Sequence, residues 1–218
     1  MTKALIDVFH ARQRYGDRTV LAVDRLTVAP GQIIGLAGPN GSGKSTLLRL
    51  LAFLEAPASG SVTFKGELVP ISPNAVHRKV TLLVQEPYLL KRSVAANVAY
   101  GLKVRGEGDS DGKVRRALEA VGLSPDEFIG RQWHELSGGE AQRVALAARL
   151  ILQPAVLLMD EPTASLDAAS ATLIRQAALR AREEHDMSLV IASHDMAWLN
   201  AVSDSVVHLE HGAVVDVK

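Results

Sequence analysis

The 218-residue sequence contains no cysteine, which removes disulfides, thiolate nucleophiles and cysteine-based zinc sites together and fits a reducing compartment. It carries no excess charge, since 24 Lys plus Arg balance 24 Asp plus Glu; no global field favours nucleic acid or an anionic membrane, and any anion site must be local. It also lacks the apolar run of about 18 residues that a membrane-crossing helix needs. The longest candidate, 144–159, is interrupted by Arg149, Gln153 and Pro154 and reads as a helix, a turn and a buried strand. The opening MTKALIDVFHARQRY is broken by Asp7, His10 and Arg12 where a signal peptide needs a continuous apolar stretch. There is no internal repeat and no low-complexity tract. What is there is apolar content, 47% of residues with a mean hydropathy of +0.11. That is enough to fill the interior of a chain hiding roughly 70% of its unfolded surface. The length predicts one to two domains, and the absences predict a cytosolic chain.

Alternation of apolar and polar residues in LIDVFHARQRY and TVLAVDRLTVAP, joined by Tyr15-Gly16-Asp17, predicts a small antiparallel sheet. IIGLAG is a continuous apolar run suited to a strand buried on both faces, and LLRLLAFLEA beyond the next loop changes to helix. SGSVTFKGELV returns to strand alternation, and VTLLVQ predicts a buried strand ending at Gln85. From Val94 to Leu152 the patterns are helical, broken by GEGDSDG and by Ser124-Pro125. AVLLMDEP and SLVIASHD are further buried strands flanking a helix from about Ala168 to Glu184. Strands alternating with helices imply a parallel sheet.

The loop Gly38-Pro39-Asn40-Gly41-Ser42-Gly43-Lys44-Ser45-Thr46 satisfies G-x-x-x-x-G-K-[ST] between a predicted strand and a predicted helix. Glycines let successive backbone N–H groups converge on phosphate oxygens, and the helix starting near Lys44 points its positive end at them. Lys44 is expected to neutralise β- and γ-phosphate charge and the Ser45 hydroxyl to ligate Mg²⁺. Asp160 and Glu161 end a buried strand, where open α/β sheets bind ligands. Asp160 is placed to hold Mg²⁺ and Glu161 to polarise an attacking water; an isolated Asp-Glu pair would read as two solvated acids. Ser137-Gly138-Gly139-Glu140 enters a strong helix, which offers either a second anion-binding helix start or an ordinary cap.

With these motifs in this order, the chain resembles the ATP-binding cassette ATPases from about Tyr15 to its end. GPNGSGKST matches the Walker A loop, Gln85 the Q-loop, LSGGE the signature, VLLMDEP the Walker B strand, Ser165-Leu166-Asp167 the D-loop and His194 in ASHD the H-loop. Tyr15 stands where the family stacks an aromatic ring on adenine. The resemblance implies an α/β fold: a P-loop NTPase core with a mostly parallel sheet, an N-terminal antiparallel β subdomain and an inserted helical subdomain. One domain then spans 1–218, with 1–85 and 153–218 as the RecA-like catalytic core and β subdomain, and 86–152 as the helical signature subdomain. It also implies ATP and Mg²⁺ as cofactors and a head-to-tail homodimer. Ser137, Gly138 and Gly139 of one copy face the Walker motifs, Gln85 and His194 of the other. Gln85 would sense Mg²⁺ and water, and His194 the γ-phosphate or the water; alone, His194 would read as a strand-end core residue. The signature ends in Glu140 where the commoner form has Gln, a variation other members share.

One cassette without a heptad run or basic stripe favours a transporter subunit over chromosome, DNA-repair or translation members, and argues against nucleic acid as partner. The membrane pathway is then a separate permease, coupled near residues 85–104, with a substrate-binding protein acting indirectly. The chain would sit peripherally on the inner face of the membrane. Runs such as LLRLLAFLEAPASGSVTFKGE resemble bacterial uptake ATPases, nearest the tungstate-type oxyanion importers, with other ions and amino acids open. The rival readings are a regulatory or cell-division cassette and a P-loop phosphotransferase, which explains the phosphate loop alone. His208 and His211 lack a third ligand and read as a solvated strand end, Asp109-Ser110-Asp111 as a linker, and Tyr88 and Tyr100 as packing residues.

Overall fold

The computed structural model describes residues 4–69, 74–107, 110–164 and 166–217. The chain divides into two compact units. The first holds Met1–Leu82, Ala155–Glu161 and Asp186–Lys218; the second holds Leu83–Pro154 and Pro162–His185.

The first unit is built on a sheet of ten strands among the described residues. In chain order they are β1 (Ile6–Tyr15), β2 (Arg18–Val28), β3 (Ile33–Ala37), β4 (Ser59–Phe64), β5 (Glu67–Leu68), β6 (Val80–Leu83), β7 (Val156–Asp160), β8 (Ser188–Ala192), β9 (Ser205–Glu210) and β10 (Ala213–Val217). Their spatial order is β5-β4-β1-β2-β10-β9-β3-β8-β7-β6. At its centre β9, β3, β8 and β7 run parallel. Every residue of β3 and β8 is buried, as strands covered on both faces require, and their runs IIGLA and SLVIA are uninterrupted apolar sequence apart from Gly35 and Ser188. β1 pairs antiparallel with both β2 and β4, and its alternating burial answers to one covered face.

Two helices of this unit position the site. α1 (Lys44–Leu51) buries Leu47, Leu48, Leu50 and Leu51; they join the core formed by Ile34, Leu36, Leu158 and Val190. The other, α9 (Met196–Val202), lies on β3. Gly35 permits that approach, since a Cβ there would stand 2.9 Å from Ser203 Oγ and 3.2 Å from Leu199 Cδ2.

The second unit is helical: α3 (Val94–Val98), α4 (Tyr100–Val104), α5 (Asp111–Ala120), α6 (Pro125–Phe128), α7 (Gly138–Leu150) and α8 (Ala168–His185); the short α2 (Asn74–His77) belongs to the first unit. α7 packs on α3, α5 and α8. The strand predicted to reach Gln85 stops at Leu83, and Val84 and Gln85 are exposed. The predicted helix over VAANVAYGLKV pauses at Ala99. The Asn97 amide donates to Ser93 O and to Leu90 O, each at 3.0 Å, tying the end of α3 to the segment before it. Asp111, read as linker, opens α5; Asp109 lies outside the described residues. No described helix is long and apolar enough to cross a membrane.

Candidate nucleotide site

Between β3 and α1 the chain makes a loop whose shape only its glycines allow. Gly38 has φ 146°, and a Cβ there would lie 2.2 Å from Leu209 O and 2.7 Å from Ser42 Oγ. Gly41 and Gly43 also have positive φ, 78° and 104°, which side-chain-bearing residues rarely adopt. Pro39 and Asn40 are exposed on the outer bend, and Pro39 O accepts from Ser42 N at 3.2 Å. Gly43 caps α1 without a side-chain hydrogen bond, so the N–H groups at the helix start, Lys44, Ser45 and Thr46 among them, have no partner four residues back within the helix. Ser42 Oγ is buried without a hydrogen-bond partner.

Lys44 is 6% exposed and folds back into the loop, donating to Gly38 O at 2.7 Å and Pro39 O at 3.2 Å. Its ammonium is 3.8 Å from Glu161 Oε1. Glu161 follows β7 with φ 44°, a strained conformation held by its N–H donating to Ala192 O at 2.9 Å. That turn buries the carboxylate. Oε2 lies 2.9 Å from His194 Nδ1 and accepts from the His194 N–H at 3.3 Å, while Oε1 has no hydrogen-bond partner. Asp160, one residue earlier, is half-buried at the end of β7. His194 is not a core residue: its side chain is 73% exposed and meets the site through Nδ1. The structure thus gathers Lys44, Glu161 and His194 around one buried carboxylate. The chemistry of this cradle is that of a polyanion site. Unpaired N–H groups, one buried ammonium and an orphan hydroxyl are all donors, and they fit phosphate oxygens. Ser45 and Asp160 are oxygen donors of the kind Mg²⁺ takes.

Tyr15 ends β1 half-exposed, with its hydroxyl donating to Glu55 Oε2 at 2.7 Å. Glu55 and its partner Arg49 were not legible as site residues; nothing in LLRLLAFLEA distinguishes an acid that bonds a residue 40 positions earlier.

In the second unit Ser137 and Gly138 are exposed at the start of α7. Ser137 Oγ accepts from Glu140 N at 3.3 Å, and Glu140 Oε2 accepts from Ser137 N at 2.7 Å. Of the two alternatives for this segment the structure shows the cap, made reciprocally by Ser137 and Glu140; it uses Ser137 Oγ as an acceptor and leaves the hydroxyl proton out of the cap. The Ser137 N–H, partly offset by burial and aided by Arg131, holds the Glu140 carboxyl below its ordinary value. Gly139 is required by its neighbour, because a Cβ would stand 2.6 Å from Ser170 Oγ. Ser170 in turn donates to Asp167 at 2.9 and 2.8 Å; Ser165 lies outside the described residues. Gln85 is exposed beyond β6. Tyr88, read as packing, is 86% exposed instead. With Pro87, Leu89, Trp133, His134 and Leu136 it lines a groove of about 650 Å³. Tyr100 is half-exposed under the Arg92 guanidinium, 5.8 Å from its ring centroid. His208 and His211 belong to no cluster suited to a metal among the described residues.

A family model described as ABC transporter matches residues 21–164. The tungstate uptake system ATP-binding protein TupC of Peptoclostridium acidaminophilum is 37% identical over 211 residues, 96% of each chain. The Fe(3+) ions import ATP-binding protein FbpC of Escherichia coli (strain K12) is 35% identical over 219 residues, 99% of this chain and 62% of that protein. Among solved structures, the dimeric bacterial ABC transporter cassette MJ0796 superposes with a TM-score of 0.88 at 25% identity, over 98% of this chain and 97% of that one.

Proposed function

The chain belongs to the ABC transporter family and is one of its ATPases, and from that premise we propose that it powers import of an oxyanion, tungstate or a relative, through separate membrane permease subunits. Two copies pair head to tail around two ATP, and the assembly sits on the inner face of the membrane. The observation that carries the reading is Glu161, whose buried carboxylate lies 3.8 Å from Lys44 Nζ and 2.9 Å from His194 Nδ1. A phosphotransferase would explain the cradle but gives no reason for the Ser-Gly-Gly start of α7.

In this reading Gly38 to Thr46 hold the triphosphate by backbone N–H groups, and Lys44 exchanges its two carbonyl acceptors for β- and γ-phosphate oxygens. Ser45 and Asp160 would hold Mg²⁺, which would neutralise phosphate charge; Gln85 is the further ligand that the family's motif implies. Glu161 accepts the proton of the attacking water, whose oxygen bonds the γ-phosphorus as the bond to the ADP oxygen breaks. His194, with its ring N–H directed at Oε2, fixes the carboxylate's orientation. Tyr15 stacks on adenine. Ser137, Gly138 and Gly139 of the second copy donate to the γ-phosphate, so dimerisation requires the intact triphosphate. The groove around Tyr88 receives a cytoplasmic segment of the permease, consistent with coupling near residues 85–104. The TupC relative supports an oxyanion cargo; the contacts that choose it belong to the permease and its substrate-binding protein.

The test is capture of membrane partners with Glu161→Gln in the presence of ATP and Mg²⁺. A polytopic permease encoded with an oxyanion-binding protein is expected. Recovery of soluble partners alone would refute the transport role and favour the regulatory cassette, and a strictly monomeric variant under these conditions would refute the sandwich.

A further inference from the structure

Stacking needs only an aromatic face, yet the hydroxyl of Tyr15 is tied down at both of its hydrogen-bonding capacities. It donates to Glu55 Oε2 at 2.7 Å and accepts from Arg49 Nη2 at 3.0 Å. Arg49 also donates Nε to Glu55 Oε1 at 2.8 Å and Nη2 to Thr46 Oγ1 at 3.3 Å. Gln13, 7% exposed, closes the set: its amide donates to Glu55 Oε2 at 2.9 Å while its oxygen accepts from Ala58 N at 3.1 Å. The ring itself sits at the end of β1, beside a two-residue turn at Gly16-Asp17 and beyond a register shift at Gln13/Arg14. Strand pairing there does not fix its rotamer. The hydroxyl does, and it refers the ring to α1, the helix that begins in the phosphate loop.

We propose that Glu55 and Arg49 are positioning residues for nucleotide binding, which hold Tyr15 by its hydroxyl and thereby fix its ring relative to the phosphate cradle before ATP arrives. This rests on the reading that Tyr15 stacks on adenine. The energetic role is preorganisation. A side chain that must be immobilised on binding weakens affinity by about two- to tenfold, and an aromatic ring held in advance avoids that loss. Burial alone would push the Glu55 carboxyl up, but the bonds from Tyr15 and Gln13 and the Arg49 charge leave it below its ordinary value, so it stays an ionised acceptor at neutral pH.

The experiment compares two ligands on the full chain, a non-hydrolysable ATP analogue and inorganic tripolyphosphate, each with Mg²⁺, by titration calorimetry. Tripolyphosphate uses the cradle and has no base. Glu55→Gln and Tyr15→Phe are each expected to weaken the ATP analogue by about two- to tenfold and leave tripolyphosphate unchanged; Tyr15→Ala, which removes the ring, weakens the analogue by at least as much. If Tyr15→Ala is selective for the analogue but Glu55→Gln and Tyr15→Phe bind it like the native chain, the positioning role is refuted while stacking survives. If Tyr15→Ala leaves both ligands unchanged, stacking is refuted and the positioning role with it. Equal weakening of both ligands by Glu55→Gln would mark a merely structural pair and also refute the proposal.

Discussion

The contact between Lys44 and Glu161 sets up a measurable conflict in the nucleotide-free chain. Both side chains are nearly inaccessible, 7% and 10% exposed, at a separation of 3.8 Å. At that distance two unit charges attract by about 4 kcal/mol at an effective dielectric of about 20. Desolvation opposes this gain, so the pair contributes little in itself, but removing one partner leaves the other charge buried and costs about 3–5 kcal/mol. Lys44→Ala is therefore expected to lower unfolding free energy by about 3 kcal/mol, the low end of that range, because His194 still supports Glu161. Adding Glu161→Gln removes the stranded charge and should recover about 1–3 kcal/mol, so the double variant is more stable than Lys44→Ala alone. Urea denaturation without nucleotide measures all four corners of the cycle, with unchanged slopes confirming that the same transition is observed. Neither Lys44 variant hydrolyses ATP, since the cradle has lost its compact charge. Additivity of the two substitutions within about 0.5 kcal/mol would refute the coupling and with it the placement of Glu161 against the phosphate-binding lysine.

Ser137→Ala removes the α7 cap and should cost the monomer about 1 kcal/mol, read by thermal melting. Because the same hydroxyl is assigned to the partner's γ-phosphate, ATP-dependent dimerisation should fall far more than that cost predicts, which sedimentation of Ser137→Ala with Glu161→Gln and ATP measures. Glu140 sets a pH dependence: its folded value is depressed, so its contribution is present above the ordinary carboxylate range and is lost as pH falls through the folded value. Melting temperature should decline into the acid range, with a shallower decline in Glu140→Gln.

How far the sequence discloses this molecule depends on the range of the interactions involved. β3, β7 and β8 are legible because a strand buried on both faces has to be apolar at almost every position, and the polar residues Asp160 and Ser193 mark where β7 and β8 end. The loop before α1 is legible for a local reason too: Gly38, Gly41 and Gly43 all take positive φ, which residues with side chains rarely adopt. The exposure of Tyr88 was missed because aromatic residues ordinarily pack, and no local pattern separates a ring in the core from one on a groove. His194 in isolation carried the opposite error, toward the core, until its place in the order of motifs assigned it to the site.

The long-range part was hidden for a different reason. Glu161 looks like the second of two strand-end acids, and its burial depends on a left-handed φ and on Ala192 and His194, some thirty residues away in sequence. Glu55 is less visible still, a single acid after a leucine-rich helix whose partners are Gln13 and Tyr15 on β1 and Arg49 on α1. The bonds from Gln13 and Tyr15 exist only once β1 has come against the end of α1. A polar residue whose partners all lie on other elements leaves no periodic trace, because what constrains it is the assembled fold and not its neighbours in the chain. The consequence for this cassette is specific. The residues proposed to touch phosphate can be read from motifs, whereas those proposed to set the distance between base and phosphate must be sought in the contacts between β1 and α1.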